Sequence, residues 1–247
     1  MKSSNPLLNS TALTRANVHV EPMTIEGTSN RALLLLILLF ASSVFAWESV
    51  IPQLQWSSTP QLPWFFYLGL FGALALAFAT MIKPVWSPIT APAYAILEGL
   101  FIGSISAFFE FRYPGVVFQA VIATFGVAAT MLVLYRVGAL RATPAFRKGV
   151  IAATGGIAIL YLVSMVMGFF GVQIPFIHQA GPVGILFSVV VVCVAALNLI
   201  LDFDSIQRGE AAHAPKYMEW FCALGLLVTL VWLYLEILNL LSKARSK

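Results

Sequence analysis

Four carboxylates stand inside or at the ends of long apolar runs: Glu98, Asp202, Asp204 and Glu236. An ionised carboxylate in hydrocarbon is costly, so such groups normally face a polar cavity or a partner. Asn198 lies four residues before Asp202 and shares its helical face, whereas Asp204 lies two residues on and points nearly the opposite way. Asp202 is therefore the expected inward acid, with Asn198 extending its polar stripe. The plainer reading is that both aspartates mark the water interface where their run ends. Glu236 follows at least fifteen residues of its own apolar run, and Asn239, three residues on, shares its face. Glu98 sits near the middle of its run, beside a Gly99/Gly103 spacing that permits close helix approach; it reads either as a polar site group or as a carboxylate bonded to a neighbouring helix. Glu110 and Glu219 lie at run ends and are expected to be solvated.

If Asp202 and Glu236 approach each other, their titrations couple, because two nearby carboxylates in low dielectric resist joint ionisation. A shared proton would then tie two helices together. Deprotonation would leave repelling charges, or a site for a hard cation that takes oxygen ligands.

The elements that must carry these groups are membrane helices. Of 247 residues, 60% are hydrophobic and only 10% are charged, against roughly 25% charged in soluble domains, and mean hydropathy is +0.91. Residues 1–30 are polar and broken up, and read as a tail. Residues 31–247 hold seven apolar runs: Ala32–Trp47, Trp64–Ile82, Ala91–Phe111, Val116–Tyr135, Gly149–Val172, Val183–Leu201 and Phe221–Leu241. Each is near the roughly 20 residues a bilayer core requires, the first being short. Tryptophans and tyrosines such as Trp47, Trp64, Trp86, Tyr113, Tyr135 and Trp220 mark the run ends. The expected fold is an all-α polytopic membrane protein of seven transmembrane helices. With the N-terminus inside, the inner segments carry ten basic residues and the outer segments four, which predicts a cytoplasmic N-terminus. Three of the four outer ones, Lys243, Arg245 and Lys247, lie in the C-terminal tail, so the side of that tail stays open.

Several function classes drop out. No basic patch interleaves with aromatics, so nucleic-acid binding is not expected. There is no GxGxxG, P-loop or HExxH, and His19, His178 and His213 fall in the tail or connections, so an intramembrane enzyme has little support. Cys193 and Cys222 both fall in apolar runs and read as buried small hydrophobes rather than a disulfide or metal site. No cofactor is expected. No internal repeat stands out, which argues against inverted-repeat transporters.

The chain resembles the Bax inhibitor-1 (transmembrane Bax-inhibitor-motif) family. The likeness rests on Ser4-Asn5-Pro6, Met23-Thr24-Ile25-Glu26-Gly27, Leu97-Glu98-Gly99-Leu100, Asp202-x-x-x-Ile206, and Leu233-Tyr234-Leu235-Glu236-Ile237-Leu238-Asn239-Leu240. The last is similar to the family's Leu-Tyr-Leu-Asp-x-x-Asn-Leu. The resemblance implies six helices around the seventh and an acid on each of helices six and seven. In relatives that pair is tied to pH-dependent calcium leak. Carried over, the gate and cation-site residues are Asp202 and Glu236, with Glu98, Asp204, Asn198 and Asn239 as accessory polar groups and calcium as the permeant ion. This chain departs in having Glu at the last acid, a longer stretch between the acids, and no evident basic partner on helix two, where Lys83 stands at the end. Counting along straight helices, the acids fall at different depths unless helix six continues past Asp202. The expected setting is a bacterial inner membrane. The rival expectation is a non-transporting regulator that binds another membrane protein, such as a membrane protease, through small-residue faces such as Gly99/Gly103. A third is a proton-coupled carrier.

Overall fold

The structure is a computed structural model that describes residues 21–56, 62–170 and 181–246. Ser4-Asn5-Pro6, His19 and His178 lie outside these residues. Seven helices carry the described chain: α1 Ile25–Trp56, α2 Trp64–Ile82, α3 Ser87–Arg112, α4 Val116–Arg136, α5 Pro144–Phe169, α6 Pro182–Ala211 and α7 Met218–Arg245. A single 3-10 turn, Pro84–Trp86, joins α2 to α3. All seven helices are long and apolar enough to cross a bilayer. The protein is an all-α membrane protein with seven candidate spans.

Two helices run well past their apolar stretches, for local reasons. α1 begins inside the expected tail, at Ile25 rather than at Ala32. The Thr24 side chain accepts the Gly27 backbone N–H, and Glu26 sits in the first turn, where a negative charge suits the helix dipole. α6 continues nine residues beyond Asp202. Ser205 bonds back to the Leu201 carbonyl, and Arg208 pairs one turn back with Asp204, so polar side chains support the helix after the apolar run has ended. α2 coincides with its apolar run, because Pro63 and Pro84 bound it on both sides.

α7 is the most deeply buried helix. α1, α3, α4 and α6 pack directly on it. α5 rests on α6 and reaches α7 through Tyr161, and α2 is layered on α3. Six helices thus surround the seventh, α2 at one remove. The core beneath them is built from Leu199, Ala195, Leu233 and Leu238 among others. Large apolar side chains such as Phe71, Phe118 and Ile159 face outward, as lipid-facing surfaces require.

The Gly99/Gly103 face is already occupied. A methyl group on either glycine would collide with the backbone carbonyls of Leu39 or Ser43 on α1, so these glycines bring α1 and α3 together within the chain. They are not a free surface for a partner.

Both ends of α7 are fixed. At one end the Met23 N–H donates to the Ala214 carbonyl (2.7 Å) and the Ser87 hydroxyl to the Tyr217 carbonyl (2.8 Å). At the other, Arg245 donates to the Pro114 carbonyl between α3 and α4. α7 therefore crosses the whole bundle, and its C-terminal end lies opposite the end that carries Met23.

Candidate functional site

α6 and α7 are antiparallel neighbours in a fixed register. Asp202 lies against the Thr229 hydroxyl, and Lys243 Nζ donates to Ser188 Oγ (2.8 Å). Each helix advances fourteen residues between these two contacts, so the helices keep step. One face of α7 then carries Cys222, Thr229, Glu236 and Lys243 at seven-residue intervals, since seven residues are nearly two full turns. Glu236 falls midway, level with Ala195 of α6.

Asp202 is half-buried, and its Oδ2 is buried without a hydrogen-bond partner among the described residues. Thr229, its neighbour, donates to the Gly225 carbonyl at 3.2 Å. A hydroxyl has one proton to give. While Thr229 donates to Gly225, Asp202 can engage it only as a protonated donor; an ionised Asp202 must draw that proton away from the helix. The contact is therefore sensitive to protonation by its chemistry.

Glu236 is 5% exposed. Its Oε1 accepts from the Tyr161 hydroxyl (2.7 Å) on α5 and from Trp232 Nε1 (3.2 Å) one turn back. Its Oε2 is buried with no hydrogen-bond partner among the described residues. The Lys243 ammonium is near enough to act on it through its charge, while itself holding Ser188 and the Gly184 carbonyl.

The two acids share a seam but not a contact. Among the described residues no hydrogen bond or ion pair joins them. By the register they are separated along α7 by about 10 Å, seven residues at about 1.5 Å each. The continuation of α6 past Asp202 does not close this gap. Calcium–oxygen bonds are about 2.3–2.6 Å, so one ion cannot bind both side chains at once.

The accessory residues divide. Asn198 donates to Thr154 Oγ1 of α5 (2.8 Å) and to the Val194 carbonyl; it turns to α5 while Asp202 turns to α7, so the expected common stripe splits. Asp204 is clamped between Arg147 (2.6 Å) and Arg208 (2.8 Å) and serves as an ion-pair centre at the end of the bundle. Glu98 is buried and takes its hydrogen bond from Tyr94, one turn back on its own helix rather than from a neighbour. Asn239 is half-buried, and its backbone carbonyl accepts from Ser242. Lys83 stacks over the Trp86 ring at 4.6 Å, at the helix end and away from the acids. Cys193 and Cys222 are free thiols, Cys193 exposed and Cys222 half-buried.

Two run-end acids depart from the solvated expectation. Glu219 is fully buried: Oε2 faces the Arg31 guanidinium at 2.8 Å, and Oε1 accepts from the Thr24 backbone N–H at 3.0 Å. Glu110 accepts the Gly115 and Val117 backbone N–H groups and caps α4. Both stand beside helix N-termini, whose unsatisfied donors draw carboxylates out of water.

Sequence reasoning missed Tyr161, Trp232, Thr229 and Ser188. Trp232 and Thr229 were within reach, at four and seven residues from Glu236. Tyr161 and Ser188 lie on other helices, where only the packing reveals them.

No curated protein and no solved structure matches the chain. Set beside known protein families, residues 5–246 match the Bax inhibitor 1 like family, to which the chain belongs.

Proposed function

We propose that the protein is a pH-sensitive passive leak pathway for cations, calcium foremost, along the seam between α6 and α7. One observation carries the reading: among the described residues, Asp202 and Glu236 each keep one buried carboxylate oxygen with no hydrogen bond and no ion pair, whereas the likewise unbonded Oε2 of Glu219 faces a guanidinium. A buried polar atom left unpaired is unfavourable, and such atoms are the ligands a dehydrating cation needs. Family membership supports the same direction. The acids act in series, as two stations about 10 Å apart. Thr229 at the first and Tyr161 at the second supply further oxygens. Protonation of Asp202 restores the Thr229–Gly225 bond and removes the first station's charge, which closes the path in acid.

Lys243 stands two turns beyond Glu236 and is a built-in competitor, because its ammonium offers Glu236 a cation that does not leave. The basic residues at the Met23 end, among them Arg136, Arg141, Arg147 and Lys148, support a cytoplasmic placement of that end, and a bacterial inner membrane is the setting we favour.

The test is calcium flux in proteoliposomes from acid to neutral pH. Wild type should conduct more as pH rises, and Asp202→Asn should flatten that dependence. Identical flux and pH response in wild type and variant would refute the role of Asp202. No flux at any pH, together with stable capture of a second membrane protein, would favour the regulator reading.

A further inference from the structure

A crevice of about 780 Å³ opens between α1, α4 and α6 at the Met23 end of the bundle. Phe203 and Ile206 of α6 and Leu226 of α7 form its inner wall, and none of Asp202, Thr229 and Glu236 lines it. One face of α1 lines it, from Ile25 through Thr28, Ser29, Ala32 and Leu33 to Leu36. That face is polar at the bundle end and apolar deeper in. It spans about 16 Å along the helix, eleven residues at about 1.5 Å each, or half the hydrocarbon thickness. Across the crevice α4 shows the same gradient, from Arg136 at the mouth to Leu132 below. α1 and α4 each pack on α7 rather than on one another, which leaves the gap between them.

Its charge is one-sided. Arg136 and Arg141 line the mouth and are exposed, and among the described residues neither has an ion-pair partner. Gly138, at φ +74°, makes the turn after α4 that no other residue makes without strain, and the Arg141 guanidinium folds back over it. The one acid in the lining, Asp204, is already held by both Arg147 and Arg208. Tyr135 occupies the amide oxygen of Gln207, so what that side chain offers a ligand is a donor. The mouth is therefore a set of cations and donors with no uncompensated carboxylate.

We propose that this crevice binds an anionic phospholipid, its phosphate held by Arg136 and Arg141 and an acyl chain lying along Leu33, Leu36 and Leu132. Basic pockets between membrane helices suit anionic head groups, and the apolar floor gives a reason for the phosphate to arrive on a lipid rather than free in solution.

The full-length protein in detergent, followed by native mass spectrometry, tests this with phosphatidylglycerol, phosphatidylcholine and glycerol 3-phosphate as probes. Phosphatidylglycerol should be retained well above phosphatidylcholine, and glycerol 3-phosphate should not be retained. Arg136→Gln with Arg141→Gln should weaken phosphatidylglycerol retention roughly 30-fold, about five-fold for each charge removed near a phosphate. Arg112→Gln, at the opposite end, should leave it unchanged. Leu33→Trp, which fills the floor with both arginines intact, should also lower retention. Equal retention of the two lipids, or an arginine double variant as tight as wild type, overturns the proposal. Glycerol 3-phosphate retained as strongly as phosphatidylglycerol overturns the lipid and leaves a site for soluble phosphate.

Discussion

The first turn of α7 and its middle bury the same residue type in opposite ways. Glu219 enters the protein with its charge matched: the Arg31 guanidinium faces Oε2, and Oε1 accepts from the Thr24 backbone N–H and the Thr24 hydroxyl. Arg31 in turn lies over the Trp220 ring at 5.3 Å and bonds the Gly27 carbonyl. Glu236, less than five turns along the same helix, has two neutral donors on one oxygen and, among the described residues, no hydrogen bond or ion pair on the other, with Lys243 acting on it only from a distance. A carboxylate whose charge is matched holds structure together. One that keeps an oxygen unbonded and no ion pair is a liability to folding that function can use. The first kind ties α1 to α7; the second leaves room for a visitor.

The contrast breaks most visibly on stability. Glu219→Gln should lower unfolding stability by about 3 kcal/mol, because it strands a largely buried arginine. Asp202→Asn should stay within about 1 kcal/mol of wild type, since it replaces an unpaired charge by a neutral group of the same shape. Glu236→Gln should cost less than Glu219→Gln, since Lys243 keeps its bonds to Ser188 and the Gly184 carbonyl. Thermal unfolding in detergent, read by tryptophan fluorescence, measures all three. A Glu236→Gln protein that unfolds as early as Glu219→Gln would mean that the middle of α7 is structural after all.

A finer test separates two stations in series from a dyad sharing one proton. Groups about 10 Å apart with no common partner usually act additively, within about 0.5 kcal/mol. The effects of Asp202→Asn and Glu236→Gln on calcium flux, taken as logarithms, should therefore sum in the double variant. A double variant no worse than either single one would show that the acids work as a unit and would bring back the shared proton.

How much of this was legible follows from where each signal lives. The α2 boundaries could be read because prolines bound its apolar run on both sides. The start of α1 and the end of α6 could not, since capping and ion pairs extend those helices through polar sequence. Glu236 stood out because nothing local excuses a glutamate within that run. Glu219 is hidden for the reverse reason: at a run end, water is the simple explanation, and only the approach of Thr24 and Arg31, some 190 residues away in sequence, replaces it. The depth difference between Asp202 and Glu236 could be anticipated by counting along straight helices, but the antiparallel register that settles it is a property of packing. Tyr161 arrives from α5, and no spacing within α7 announces it.

The smallest effect sets the buried tie between α1 and α7 against an exposed one beside it. Lys216 Nζ bonds Glu21 Oε2 at 2.7 Å, with both side chains largely in water. The ammonium holds the Glu21 carboxyl below its ordinary value of 4.5, and the carboxylate holds Lys216 above its ordinary 10.5. The Glu21 contribution is therefore complete above about pH 4.5 and fades as acid carries the pH down through the lower folded value; the Lys216 contribution is complete below about pH 10.5 and fades in base. Exposed pairs are weak and screened by salt, so Glu21→Gln should shift the melting temperature slightly at neutral pH in low salt and not at all in high salt. The Arg31–Glu219 pair, buried from counter-ions, should keep its contribution in the same high salt. A Glu21 effect that survives high salt would mean that the segment before α1 is held as firmly as α1 itself, and that both ties belong to one structural node.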